Sequence, residues 1–141
     1  MLRAALLADA AELARLATQL GYPCDAGAMR ARVARVLGDP AQCVQVLAHA
    51  EGGLQGWIHV ARQFSLESGE RIEILGLVVD EAARRSGAGQ RLVACAAEWA
   101  RSQGHAQLVV RSNVQRDVSH AFYRALGFEP SKTQHVYVRA L

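Results

Sequence analysis

Arg84-Arg85-Ser86-Gly87-Ala88-Gly89 follows closely on the apolar, β-branched run Ile72 to Val79 and opens directly into a helical pattern. That succession builds an anion cradle. Glycines let neighbouring backbone N–H groups turn toward one point, and a helix N-terminus adds about half an elementary charge of positive potential. A pyrophosphate fits such a site. Two other glycine-loop readings fail on spacing. A P-loop needs Lys-Ser/Thr after its last glycine, where Gln90 and Arg91 stand, and a dinucleotide fingerprint would place its third small residue on Leu92.

Arg84 to Gly89 matches Arg/Gln-x-x-Gly-x-Gly/Ala, and Phe122-Tyr123-x-x-Leu126-Gly127-Phe128 forms a second motif one helix and one strand later. Together they resemble the coenzyme A signature and the later aromatic element of the GNAT superfamily of N-acetyltransferases. The resemblance spans Glu73 to Phe128. It implies an α+β fold with a mixed, mainly antiparallel sheet flanked by helices, in which one parallel strand pair splays around the coenzyme A arm. It also implies acetyl-CoA as acetyl donor and direct attack by a primary amine in a ternary complex.

Such a transfer needs a cofactor cradle, a proton acceptor for the ammonium, donors for the oxyanion and an acid for the departing thiolate. The backbone from Arg84 through Gly89 is the cradle. By the resemblance, the acyl strand contributes Leu77, Val78 and Val79, with the Leu77 N–H facing the acetyl carbonyl and Val79 pairing with the pantetheine arm. Gly76, just before, suits a bulge that turns an N–H outward. Tyr123, one residue past the core-facing Phe122, is the candidate general acid. A phenol near pKa ~10 gives its proton to a thiolate near ~8.5 slightly uphill, so the site must compensate. The alternative is a packed tyrosine whose hydroxyl caps a carbonyl. Asn113 aligns with a position that touches the pantetheine in similar enzymes, or it is a plain turn residue.

Glu73 lies fourteen residues before Gly87, the spacing of a basic glutamate in histone-acetylating relatives. Either it acts as base, aided by its apolar strand, or it only pairs with a cation on a neighbouring strand. His59, alternating with Trp57 on the preceding strand, is the second candidate base. Trp57, His59 and Glu73 are the expected acceptor-binding set. Glu67, Glu70 and Glu73 together suggest an acidic mouth that favours a cationic amine. The segment Arg111 to Tyr123 resembles small-molecule acetyltransferases, including some that act on aminoglycosides, and this implies an aminoglycoside, polyamine or amino-acid-like acceptor above a protein N-terminus or lysine. A non-catalytic acyl-CoA sensor is the reading from another class.

Composition bounds these readings. A chain of 141 residues is one ordinary domain, expected over 1–141. No apolar run of membrane-spanning length and no signal-like segment is visible, so a cytoplasmic protein without a membrane partner is expected. Cys24, Cys43 and Cys95 form no metal or disulfide pattern, and no metal site is expected. The net charge of +3 is dispersed, which does not call for nucleic acid. Arg30, Arg32 and Arg35 read as the solvated face of a helix.

The elements that must position the cradle follow from periodicity and punctuation. A short strand covers Leu2 to Leu6, and Asp9 with Glu12 suggests a capping-box-like start to a helix reaching Leu20. A second helix runs from Asp25 or Ala26 to Leu37. Strands at Cys43 to Ala48, Leu54 to Phe64 and Arg71 to Val79 form a meander, with the hairpin turn at Glu51-Gly52-Gly53. A helix from Gly87 to Gly104 leads into a parallel strand at Gln107 to Arg111. Asp117 is expected to cap a last helix that buries Val118, Ala121, Phe122, Ala125 and Leu126. Thr133 to Arg139 alternates as a final strand, whose edge suggests pairing with a second copy as a homodimer.

Overall fold

Three alternating runs form the antiparallel meander β2 (Gln42–Ala48), β3 (Leu54–Ser65) and β4 (Gly69–Val79), and β1 (Leu2–Ala4) pairs antiparallel with β2. The computed structural model describes residues 1–113 and 115–141; Val114 lies outside them. β5 (Val109–Val110) closes the order β1-β2-β3-β4-β5, parallel to β4 through only two pairs, Glu73 with Val109 and Ile74 with Val110. The helices are α1 (Ala10–Gln19), α2 (Ala26–Leu37), α3 (Ala88–Ser102) and α4 (Asp117–Ala125). This is the mixed α+β architecture expected. The chain divides into two compact units, Met1–Val110 with the whole sheet and α1 to α3, and Arg111–Leu141 with α4 and the tail.

Alternation along β3 sends successive side chains to opposite faces. Trp57 joins the cluster of Leu13, Leu16, Val33, Val46 and Val78 under α1 and α2, while Leu92 of α3 packs at Gly56 on the other side. Leu13, Leu16 and Leu92 are almost fully buried, each contributing about 2 kcal/mol by removal from water. Asp25 caps α2 through the Ala28 N–H at 2.7 Å, and Arg30, Arg32 and Arg35 face solvent. No helix among the described residues is long and apolar enough to cross a membrane.

Several local expectations fail where a distant partner decides. Asp9 makes no capping bond to α1; its carboxylate takes the Arg3 guanidinium at 2.8 and 2.9 Å and the Leu6 N–H at 2.8 Å. Glu12 accepts from the Leu54 N–H instead of closing a capping box. Asp117 is the first residue of α4 rather than its cap. The α4 stripe is at most half-buried and Val118 is 86% exposed, since a unit of this size has too little apolar surface to cover a helix. Thr133 to Arg139 forms no strand and is exposed throughout. Alternation marks strand propensity, but a strand exists only with a ladder partner, and the described residues supply the tail with none.

Candidate active site

The cradle begins where β4 ends. Asp80 turns the chain through a 3-10 turn at Glu81–Ala83, its carboxylate accepting from the Ala82 N–H at 3.1 Å. Arg84 is extended, Arg85 has φ +65° and Gly87 has φ +85°, immediately before α3. The Ser86 hydroxyl donates to the Ala83 carbonyl, which pins the loop from within. The first helical bond runs from the Arg91 N–H to the Gly87 carbonyl at 3.1 Å. Among the described residues, the amides of Arg85, Gly87, Ala88, Gly89 and Gln90 therefore have no protein acceptor. Unspent amides at a helix start, around a left-handed loop, are the donors an anion needs. The Arg84 and Arg85 side chains are exposed beside them.

The second component is the free edge of β4. Beyond Ile74, β4 has β3 on one side and no β5 partner on the other. At the same place the β3–β4 register slips from His59 with Gly76 to Val60 with Ile74, which leaves Leu75 as the extra residue of a bulge. The bulge expected at Gly76 is present. Leu77 and Val79 lie on the open stretch; Val78 sends its side chain into the core at 3% exposure, so its backbone alone is available there.

The register sets His59, Ala61 and Glu73 on one face of the sheet. Glu73 is 6% exposed and accepts from Arg71 Nε at 3.1 Å. This cation stands on Glu73's own strand, not on the neighbouring strand expected for a purely paired glutamate. His59 is half-buried, and burial lowers its pKa, keeping the ring neutral. Its Nε2 lies 2.6 Å from Gln42 Oε1, which places the proton on Nε2 and leaves Nδ1 as the lone pair. Trp57, expected in the acceptor-binding set, is partly buried and packs against the core cluster beneath α1 and α2. The acidic mouth is also reduced, because Glu70 binds His105 Nε2 at 2.6 Å and Glu73 is paired.

In the second unit, Tyr123 stands between two aromatic rings, edge-on to Phe122 at 5.2 Å and to Phe128 at 5.6 Å. Burial raises its pKa and the Arg116 charge partly offsets this. The phenol is therefore protonated at neutral pH, but its surroundings do not acidify it. Asn113 Oδ1 accepts from the Gln115 N–H at 2.9 Å, and its carbonyl accepts from the Arg116 N–H and from His120 Nε2. The Cys95 thiol is pushed up by burial, first of all, as expected of a packed cysteine.

Residues 8–128 match the sequence profile of the Acetyltransferase (GNAT) family. The chain belongs to this family. It is 30% identical, over 98% of its length and 91% of the relative's, to an aminoglycoside N(6')-acetyltransferase type 1 of Stenotrophomonas maltophilia. A second enzyme of that name, from Serratia marcescens, is 27% identical over 79% of this chain and 80% of its own. The fold is shared with an aminoglycoside 6'-N-acetyltransferase of Acinetobacter haemolyticus, at TM-score 0.86 and 18% identity over 100% and 99% of the two chains. The protein is thus an acetyl-CoA-dependent N-acetyltransferase.

Sequence reasoning missed the brace that fixes the transferase's cradle. Arg15 of α1 donates to Glu12, to Asp80 at 3.0 Å and to the Leu54 carbonyl, while Gln19 bonds both the Asp80 carboxylate and the Glu81 N–H. Asp at a strand end before a helical turn was a usable signal; Arg15, sixty-five residues away, carried none. The Arg15 guanidinium holds the Glu12 carboxyl below its ordinary range; Asp80 is lowered by the Ala82 amide and then by Arg15, and Asp9 by Arg3. Each folded pKa lies below its unfolded value of about 4. The unfolded chain then takes up protons first, so this stability is complete above about pH 4 and is lost as pH falls through the folded values. The melting temperature should drop steeply below about pH 4, and Arg15→Met should lower it at pH 7 while flattening that acid slope. Equal slopes in thermal melts of the two proteins would remove the brace from the stability account.

Proposed function

We propose that this transferase acetylates the 6'-amine of an aminoglycoside, or a small cationic amine of similar chemistry, by direct attack in a ternary complex. The observation carrying this reading is the 30% identity across nearly the whole of both chains to an aminoglycoside N(6')-acetyltransferase. The family match runs across both compact units, which supports one transferase domain formed from the two.

In this reading the amides of Arg85, Gly87, Ala88 and Gly89 bind the pyrophosphate, with the Arg84 and Arg85 side chains and Ser86 around it. The open edge at Leu77 to Val79 takes the pantetheine arm as an added strand. The Leu77 N–H polarises the thioester carbonyl, and Asn113, through its side-chain NH2, reaches the arm. Tyr123 protonates the departing thiolate. Glu73 is already bound to Arg71, so the ammonium proton leaves through water, with His59 Nδ1 as the neutral acceptor on that face. The expected compartment is the cytoplasm, consistent with three free cysteines. The exposed, alternating tail Gln134 to Arg139 supports a homodimer in which a second copy supplies the missing ladder.

Release of free thiol from acetyl-CoA should be measured with an aminoglycoside bearing a 6'-amine, the same scaffold bearing a 6'-hydroxyl, a polyamine and a basic peptide. Turnover with the first and not the second supports the 6'-site, and light scattering on the same sample should return a dimer. Peptide turnover alone would overturn the small-amine reading. Acetyl-CoA binding without turnover on any amine would point to the sensor.

A further inference from the structure

Trp57 lies opposite Val46 on β2 and Val78 on β4, partly buried against the core cluster beneath α1 and α2. Its ring leans diagonally to Gly76, where a Cβ would stand 2.9 Å from Cζ3 and 3.0 Å from Cη2. The glycine is thus set by close approach: no side chain fits between the ring and the backbone at this point. Gly76 is also the residue beside the bulged Leu75 and before Leu77. The indole Nε1 is sealed from solvent with no acceptor among the described residues. A buried donor left without an acceptor is unfavourable, so hydrogen bonding is not what keeps a tryptophan here; the shape of its ring is.

We propose that Trp57 is a positioning residue for acetyl transfer, a wedge seated on Gly76 that holds the bulged β4 backbone with the Leu77 amide turned to the open edge. The inference rests on the assignment of the Leu77 N–H to the thioester carbonyl. A bulge leaves its extra residue unpaired and increases local twist, so the direction of the next amides depends on what packs against it. Here the packing group is a rigid bicyclic ring that packs against the buried cluster containing Val46, Leu13 and Leu16. Movement of either partner should misdirect the amide while leaving the pyrophosphate cradle intact, because that cradle lies beyond Asp80 and is braced separately by Arg15 and Gln19.

The test compares wild type, Trp57→Phe, Gly76→Ala and the double variant by kcat, by KM for acetyl-CoA and by the NMR response of the Leu77 amide to acetyl-CoA. Gly76→Ala should lower kcat about 100-fold and Trp57→Phe about 10-fold, with KM for acetyl-CoA within about threefold in both. Phenylalanine lacks the two ring atoms that the added methyl meets, so the double variant should recover about tenfold over Gly76→Ala and regain the Leu77 response. A merely structural wedge would lower stability without this kcat rescue. Wild-type kcat and Leu77 response in Trp57→Phe, or simple additivity in the double variant, would overturn the wedge. Should Gly76→Ala fail to fold, the Leu77 response of Trp57→Phe decides alone. If Leu77 of wild type does not respond to bound acetyl-CoA, the oxyanion assignment falls and the wedge falls with it; a response shared by wild type and Trp57→Phe removes only the wedge.

Discussion

Gly87→Glu should abolish the thermal stabilisation that acetyl-CoA gives to the wild type and reduce turnover to background. Gly87 has φ +85° at the junction of the loop with α3, a conformation that costs a residue with a Cβ about 1 kcal/mol or more. A strain of that size lowers the melting temperature of the free protein by only about 3 °C. The larger effect is electrostatic. A carboxylate set among the unspent amides of Ala88, Gly89 and Gln90 would occupy the donors and repel the pyrophosphate with a like charge. Ligand at 100 times its Kd stabilises a folded protein by about 2.7 kcal/mol, and all of that should vanish. Gly87→Ala separates the two causes, since it carries the strain without the charge and should retain part of the shift. An undiminished shift in Gly87→Glu would place the pyrophosphate elsewhere.

The cradle was legible because its determinants are local: two glycines at fixed spacing, a strand before and a helix after. The meander was legible for the same reason, since alternation in β2 to β4 reports a half-buried strand whichever partner it meets. What escaped is set by residues far apart in sequence. Asp9 looks like a helix cap, but Arg3 and the Leu6 amide claim its carboxylate. Arg85 adopts φ +65° with no glycine to announce it. Trp57 alternates with His59, and only the register with Val46 and Val78 sets its ring against the core cluster. The tail shows the converse limit, for its alternation is unmistakable while the partner that would make it a strand is not written in the segment.

Tyr123→Phe should lower kcat by about 10²–10⁴, the range of a lost general acid, while the acetyl-CoA thermal shift is retained. The substitution removes one hydroxyl and keeps the ring stacked edge-on between Phe122 and Phe128, so folding should be little affected. The pH profile separates a proton donor from a packed phenol. An acid works only while protonated, so activity should fall as pH rises through its pKa. Burial places that pKa above the ordinary tyrosine value and Arg116 pulls against the shift. The wild type should therefore be flat through neutral pH, with an alkaline limb beyond about pH 10, and the limb should be absent in Tyr123→Phe. Arg116→Met removes the opposing charge and should move the limb further up. Because the raised pKa makes proton transfer to a thiolate more uphill, the phenol can serve only as a donor that is quickly refilled, and slow chemistry should show a solvent isotope effect that the phenylalanine variant alters. Unchanged kcat in Tyr123→Phe would leave the thiolate to depart unprotonated and return Tyr123 to its packing role between two phenylalanines.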